Sequence, residues 1–136
     1  MLDIIRLPFR ALSSGMLVVL LGCLLVAGSF GKARSAELVM LEEDGCPWCE
    51  LWREEIGGIY AITDEGKIAP LRALDINKPL PDDLKFLVKG GYTPTFILVH
   101  EGKEYGRIRG YPGESFFWGL LSVLIDKLPK SDKSST

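Results

Sequence analysis

The chain has 136 residues, 47% apolar and 25% charged, with 15 Gly and 8 Pro, which excludes collagen-like and disordered classes and leaves room for one ordinary globular domain. Sixteen basic against 18 acidic side chains give a net charge of −2, which argues against nucleic acid as a partner. One His and three Cys are too few for a His₃, Cys₄ or Cys₂His₂ site, so no metal is expected, and the cysteine chemistry read below needs no cofactor.

The N-terminus reads as an address. Ala11 to Gly31 carries no charge, Met16 to Phe30 is almost wholly apolar, Arg6 and Arg10 precede the run, and small residues follow it. A basic region, an apolar region and a small-residue exit make a signal peptide over residues 1–36, with cleavage after Ala33 or Ser35. An uncleaved anchor is one rival, because about 20 apolar residues span a bilayer. Lipidation at Cys23 is another, disfavoured because Leu24 to Gly28 prolong the apolar run. In every case the rest is exported. Without residues 1–36 the chain keeps 12 basic and 17 acidic groups and two cysteines, Cys46 and Cys49.

Glu37–Glu42 is apolar enough for a buried strand, and Glu43-Asp44-Gly45 is a turn. A helix is expected from Pro47, with Trp48, Trp52 and Ile56 at four-residue spacing and Gly57-Gly58 as its stop. Residues 59–69 suit a short helical piece ending at Gly66, and Pro70–Ile76 a second strand. Asp82–Val88 is expected to be a short helix closed by Gly90-Gly91. Thr95–Val99 is the clearest strand, His100–Lys103 its hairpin turn and Glu104–Arg109 the returning strand. Glu114–Leu128 completes the domain as a helix with Phe117, Leu120, Leu121, Leu124 and Leu128 on one face, and 129–136 is a loose polar tail. This order implies an α/β layer fold with a mixed central sheet flanked by helices, over residues 37–128.

Cys46-Pro47-Trp48-Cys49 lies where strand gives way to helix. Proline suits the first helical position because the N–H it lacks would have no partner there. Cys46 then caps the helix, and the amides of Trp48 and Cys49, with the helix dipole, favour its thiolate. An exposed attacking sulfur and a deeper resolving sulfur three residues on are what thiol–disulfide exchange requires. A purely structural disulfide closing so short a loop would gain little, and metal binding would lack ligands.

With Thr93-Pro94-Thr95 lying 44 residues beyond Cys49 and leading into the apolar hairpin, the chain resembles the thioredoxin family. The resemblance implies a thioredoxin-like fold, a cis Pro94 facing the redox pair, and a Thr93 backbone that pairs with substrate. Within that family the chain is similar to the SoxS-like periplasmic thioredoxins of bacterial sulfur-oxidation operons. The matching pieces are Cys46 to Glu50 with Trp52, Ala69 to Leu71, Thr93 to Phe96, Gly106 to Gly113 and Phe116 to Trp118, within Leu38 to Leu128. It departs from cytosolic thioredoxin in having Pro-Trp between the cysteines and Met40 where a buried acid is expected. That leaves the proton acceptor for Cys49 open, with Glu42 either that acceptor or an exposed strand-end charge.

Trp48 and Tyr92 are expected to be exposed and to dock substrate, Trp52 and Trp118 to pack in the core, and His100 to be solvated. Glu50, Glu54 and Glu55 are expected on the wet face of the helix. Together these readings imply an exported periplasmic thiol–disulfide oxidoreductase with Cys46 and Cys49 as its catalytic residues. It would reduce cysteines of a periplasmic protein such as a sulfur carrier. It would draw electrons from a membrane donor and act as a monomer. A disulfide-forming oxidase, a Cu(I) metallochaperone and a pure binding module are the alternatives. Glu42, Glu43, Asp44 and Glu50, with no Lys or His in residues 37–52, oppose the helix dipole and point to a reducing poise.

Overall fold

The computed structural model describes residues 36–130; the expected signal peptide, anchor or lipidation site and the tail beyond Lys130 lie outside the described residues. Four strands form one mixed sheet in the order β2-β1-β3-β4. β1 (Glu37–Glu42) pairs parallel with β2 (Leu71–Asp75) and antiparallel with β3 (Thr95–His100), which pairs antiparallel with β4 (Lys103–Arg109). A parallel neighbour demands a long crossover. Here it holds α1 (Pro47–Trp52), a π turn (Arg53–Gly57), a 3₁₀ turn (Tyr60–Ile62) and α2 (Asp64–Ile68). α3 (Glu114–Ile125) follows β4.

β1 and β3 are central and buried on both faces, so their near-continuous apolar runs feed two cores. Leu38, Met40, Phe96 and Leu98 point into the larger core with Trp52, Ile56, Phe117 and Leu121. Their alternates Val39, Leu41, Ile97 and Val99 meet Leu84 and Leu87 in the smaller one. Each fully buried Leu, Ile or Phe contributes about 1.5–3 kcal/mol. Trp52 is fully buried, as expected; Trp118 is half-buried and stacks on Tyr60 at 6.0 Å.

Several local expectations are corrected. Gly66 sits inside α2 rather than ending it: a Cβ there would lie 1.8 Å from the Tyr60 carbonyl oxygen, so close approach selects glycine. The Asp82–Val88 helix is a single 3₁₀ turn at Asp82–Leu84. There Leu84 N–H donates to Pro81 O and Leu87 N–H to Leu84 O. Side chains supply further partners: Arg107 donates to Val88 O, and Lys89 to Ile76 O and Lys78 O. His100 is not solvated. The turn is only Glu101-Gly102, both at positive φ, so His100 stays in β3, 5% exposed and beside Tyr105. On α3 the buried stripe is Phe117, Leu121, Leu124 and Ile125, which leaves Leu120 at its exposed edge. Among the described residues no helix is long and apolar enough to cross a membrane.

Candidate active site

β1 delivers the chain to a turn at Asp44-Gly45, where Gly45 takes φ +72°, and α1 begins at once. Pro47 occupies the first turn and Cys46 is the N-cap, extended at φ −81° and ψ 104°. Its carbonyl accepts from the amides of Cys49 and Glu50, both at 3.1 Å. Its sulfur accepts from the Cys49 amide alone, at 3.2 Å, and not from Trp48 as expected. One N–H bond plus the helix dipole is therefore the favourable field on that sulfur.

Cys46 and Cys49 form a disulfide, S–S 2.09 Å, with their Cα atoms 5.3 Å apart. Cys46 is 6% and Cys49 3% exposed, so the expected contrast between an open and a deep cysteine is small in the oxidised pair. What stands out to solvent is Trp48, 58% exposed.

A polar cavity of about 360 Å³ opens beside the pair, and both cysteines line it. Its other walls include Glu42, Glu43, Asp44, Glu50, Asp75 and Lys78. Arg53, on the wall with Glu42, pairs with that carboxylate, and Lys78 lies 3.4 Å from Asp75. Glu42 is thus a half-buried, paired carboxylate rather than an exposed strand-end charge. Met40 is completely buried, so the core beneath the pair holds an apolar side chain where an acid was expected.

The second arm of the site comes from the loop before β3. Thr93–Pro94 is a cis peptide bond. Gly110 N–H donates to Pro94 O and Thr95 Oγ1 to Tyr92 O, both at 2.7 Å. Thr93 Oγ1 donates to Glu43 Oε1 at 2.6 Å, joining this loop to the turn that leads into Cys46. Tyr92 is 69% exposed, as expected of a docking residue.

Glu50 and Glu54 are exposed, as expected; Glu55 is exposed too but accepts from Tyr111 Oη at 2.5 Å. Burial first, then the Glu55 carboxylate, pushes the Tyr111 phenol far above its ordinary range. Sequence reading counted Glu43 among the charges around Cys46 but not its bond to Thr93, and it missed Arg53 as part of this site. Arg53 had a signal, since it lies four residues after Cys49 on one helix face; the Glu43–Thr93 bond had none, its partners being 50 residues apart. Chemically, the arrangement is a redox-active sulfur pair at a helix N-terminus, facing water through a polar cavity, with the exposed Trp48 between the two cysteines in the chain.

No family model matches the chain, and no curated protein matches it. Among solved structures the chain is similar to the reduced form of the periplasmic thioredoxin SoxS from Paracoccus pantotrophus. The two share 43% sequence identity with a TM-score of 0.66, over 68% of this chain and 98% of that one.

Proposed function

This chain belongs to the thioredoxin family, with the SoxS-like periplasmic thioredoxins, and is a thiol–disulfide oxidoreductase; from that premise we propose that it works in the periplasm, reducing oxidised cysteines of a partner protein such as a sulfur carrier. The observation that carries this reading is the Cys46–Cys49 disulfide at the start of α1. Cys46 is the attacking sulfur. Its N-cap position supports that role, because the helix terminus favours its thiolate, and Cys49, one turn along, is the resolving sulfur.

In a turnover the Cys46 thiolate attacks the partner's disulfide, one partner sulfur leaves, and a mixed disulfide forms. Cys49 then loses its proton and attacks Cys46, releasing the reduced partner and closing the Cys46–Cys49 bond. Thr93 and the cis Pro94 shape the groove that receives the partner's chain, and Trp48 and Tyr92 supply its apolar contacts. Every cycle leaves the pair oxidised, so an electron donor at the membrane must restore it. The protein acts as a monomer whose thioredoxin-like domain spans residues 37–128, behind a signal peptide that is cleaved or retained as an anchor.

Trapping tests the assignment. Cys49→Ser should accumulate a mixed disulfide with the partner, because the resolving thiol is gone, and Cys46→Ser should trap almost nothing. The reverse pattern would exchange the two roles. Equal trapping by both variants would remove the reading of one attacking and one resolving sulfur.

A further inference from the structure

Carboxylates crowd the redox pair, and they differ in how they are compensated. Glu42 is neutralised by Arg53 and Asp75 by Lys78. Glu43, Asp44 and Glu50 line the same cavity as both sulfurs, and among the described residues no cation pairs with any of them. Glu43 is moreover held in place, because its carboxylate takes the Thr93 hydroxyl at 2.6 Å. Three uncompensated negative charges thus share a cavity with the redox pair, while Trp48, between the two cysteines, and Tyr92, next to the Thr93 that Glu43 holds, are both exposed.

We propose that Glu43, Asp44 and Glu50 act as a charge filter that selects, as substrate, a protein segment whose oxidised cysteine is flanked by Lys or Arg, and that slows exchange with anionic disulfides. The inference rests on the oxidoreductase reading above and deepens it. A cleft lined by one sign of charge raises the local concentration of the opposite sign and speeds its arrival. The aromatic rings then give the aliphatic stems of lysine or arginine an apolar surface, and their faces attract the cations.

Charge enters at a defined step. The Cys46 thiolate attacks one sulfur of the substrate disulfide; that bond breaks, a Cys46–substrate bond forms, and the first substrate thiolate leaves and takes a proton from water. Cys49 gives its proton to solvent and attacks Cys46, breaking the mixed disulfide and releasing the second thiolate. Two electrons pass to the substrate, and the Cys46–Cys49 bond closes. The filter acts on the first encounter and on departure of the anionic thiolate, which the carboxylates repel.

The test uses the reduced protein and three disulfide-linked pentapeptide dimers, identical except that two lysines, two serines or two glutamates flank the cysteine. Stopped-flow oxidation of the protein is followed by tryptophan fluorescence. Each rate is divided by that of 2-mercaptoethanol with the same peptide, which removes differences in leaving-group chemistry. At low ionic strength the lysine peptide should exceed the glutamate peptide by about tenfold, the low end of what a one-sign cleft supplies. The ratio should fall towards one in roughly 0.5 M salt, where the Debye length is only a few Å. The triple variant Glu43→Gln, Asp44→Asn, Glu50→Gln should flatten it likewise, with the glutamine oxygen still able to accept from Thr93. The salt series, run on the unaltered protein, keeps the test independent of how the variant folds. Equal normalised rates for the three peptides, or a ratio that salt leaves unchanged, would overturn the filter while the oxidoreductase reading stood. Failure of all three peptides to oxidise the protein would overturn that reading and the filter with it.

Discussion

On one side of the sheet Trp52 meets Tyr60, Phe96 and Phe117 ring to ring, with centroids 5.2–6.0 Å apart, and α1 grows directly out of that cluster. On the other side the segment between β2 and β3 has one short 3₁₀ turn and is pinned by cations. Lys89 donates to two carbonyls, Arg107 to a third, and Arg72 grips Asp83 with two bonds of 2.7 and 3.3 Å. The first side carries the cysteine pair, the second the segment that leads to Tyr92, Thr93 and Pro94. The comparison teaches a division of labour. The sulfurs are placed by apolar burial, which is strong and indifferent to salt. The segment before Pro94 sets Leu84 and Leu87 in the smaller core, and the rest of it is held by polar pins, which are individually weak and release locally.

Removing Trp52 should give the largest effect. Trp52→Ala should lower unfolding stability by about 3–5 kcal/mol, read from urea denaturation, because the cavity lies under both α1 and β3. A loss below about 1 kcal/mol would mean that the aromatic cluster does not anchor the redox helix.

A pin on the other side should behave differently. Lys89→Met leaves the carbonyls of Ile76 and Lys78 without that donor. It should cost only about 1 kcal/mol globally, the worth of an ordinary exposed polar contact. Amide exchange across residues 77–92 should rise well above that of β1 and β3, and formation of the trapped mixed disulfide by the Cys49→Ser protein should slow. Uniform acceleration of exchange through the whole sheet would contradict a locally pinned loop.

The smallest effect is on alkaline stability. Burial raises the phenols of Tyr60 and Tyr111 above the ordinary value, so the folded chain keeps protons that the unfolded chain releases near pH ~10. Their contribution is therefore fully present below about pH 10 and is lost as pH rises beyond it. Tyr111→Phe should make that decline shallower in urea midpoints taken from about pH 9 to 11; an unchanged slope would show that Tyr111 plays no part in it.

The same division explains what was legible in the sequence. β1 was read to its observed bounds, and β2, β3 and β4 to within a residue or two, because each announces itself in a few consecutive residues. The cysteine pair and its capping proline were equally local, and the cis Pro94 followed from family resemblance rather than propensity. What escaped was non-local and polar. The Asp82–Val88 segment has helical composition, but part of its hydrogen bonding goes to Arg107, on a strand later in the chain. The Glu43–Thr93 bond and the compensation of Glu42 by Arg53 leave no periodic trace. His100 was misplaced because a two-residue turn was read as a longer one.

The measurement closest to the central claim, that this pair serves as a reductant, is its reduction potential. It is read by equilibrating the protein with glutathione or dithiothreitol and following tryptophan fluorescence. One N–H bond and a helix terminus stabilise the Cys46 thiolate, while Glu43, Asp44 and Glu50 oppose a further negative charge beside them. The stabilisation is therefore moderate, and the potential should lie on the reducing side of the roughly −270 to −120 mV spanned by related catalysts, at about −230 mV or lower. A value near −120 mV would contradict the account and make the protein a disulfide-forming oxidase.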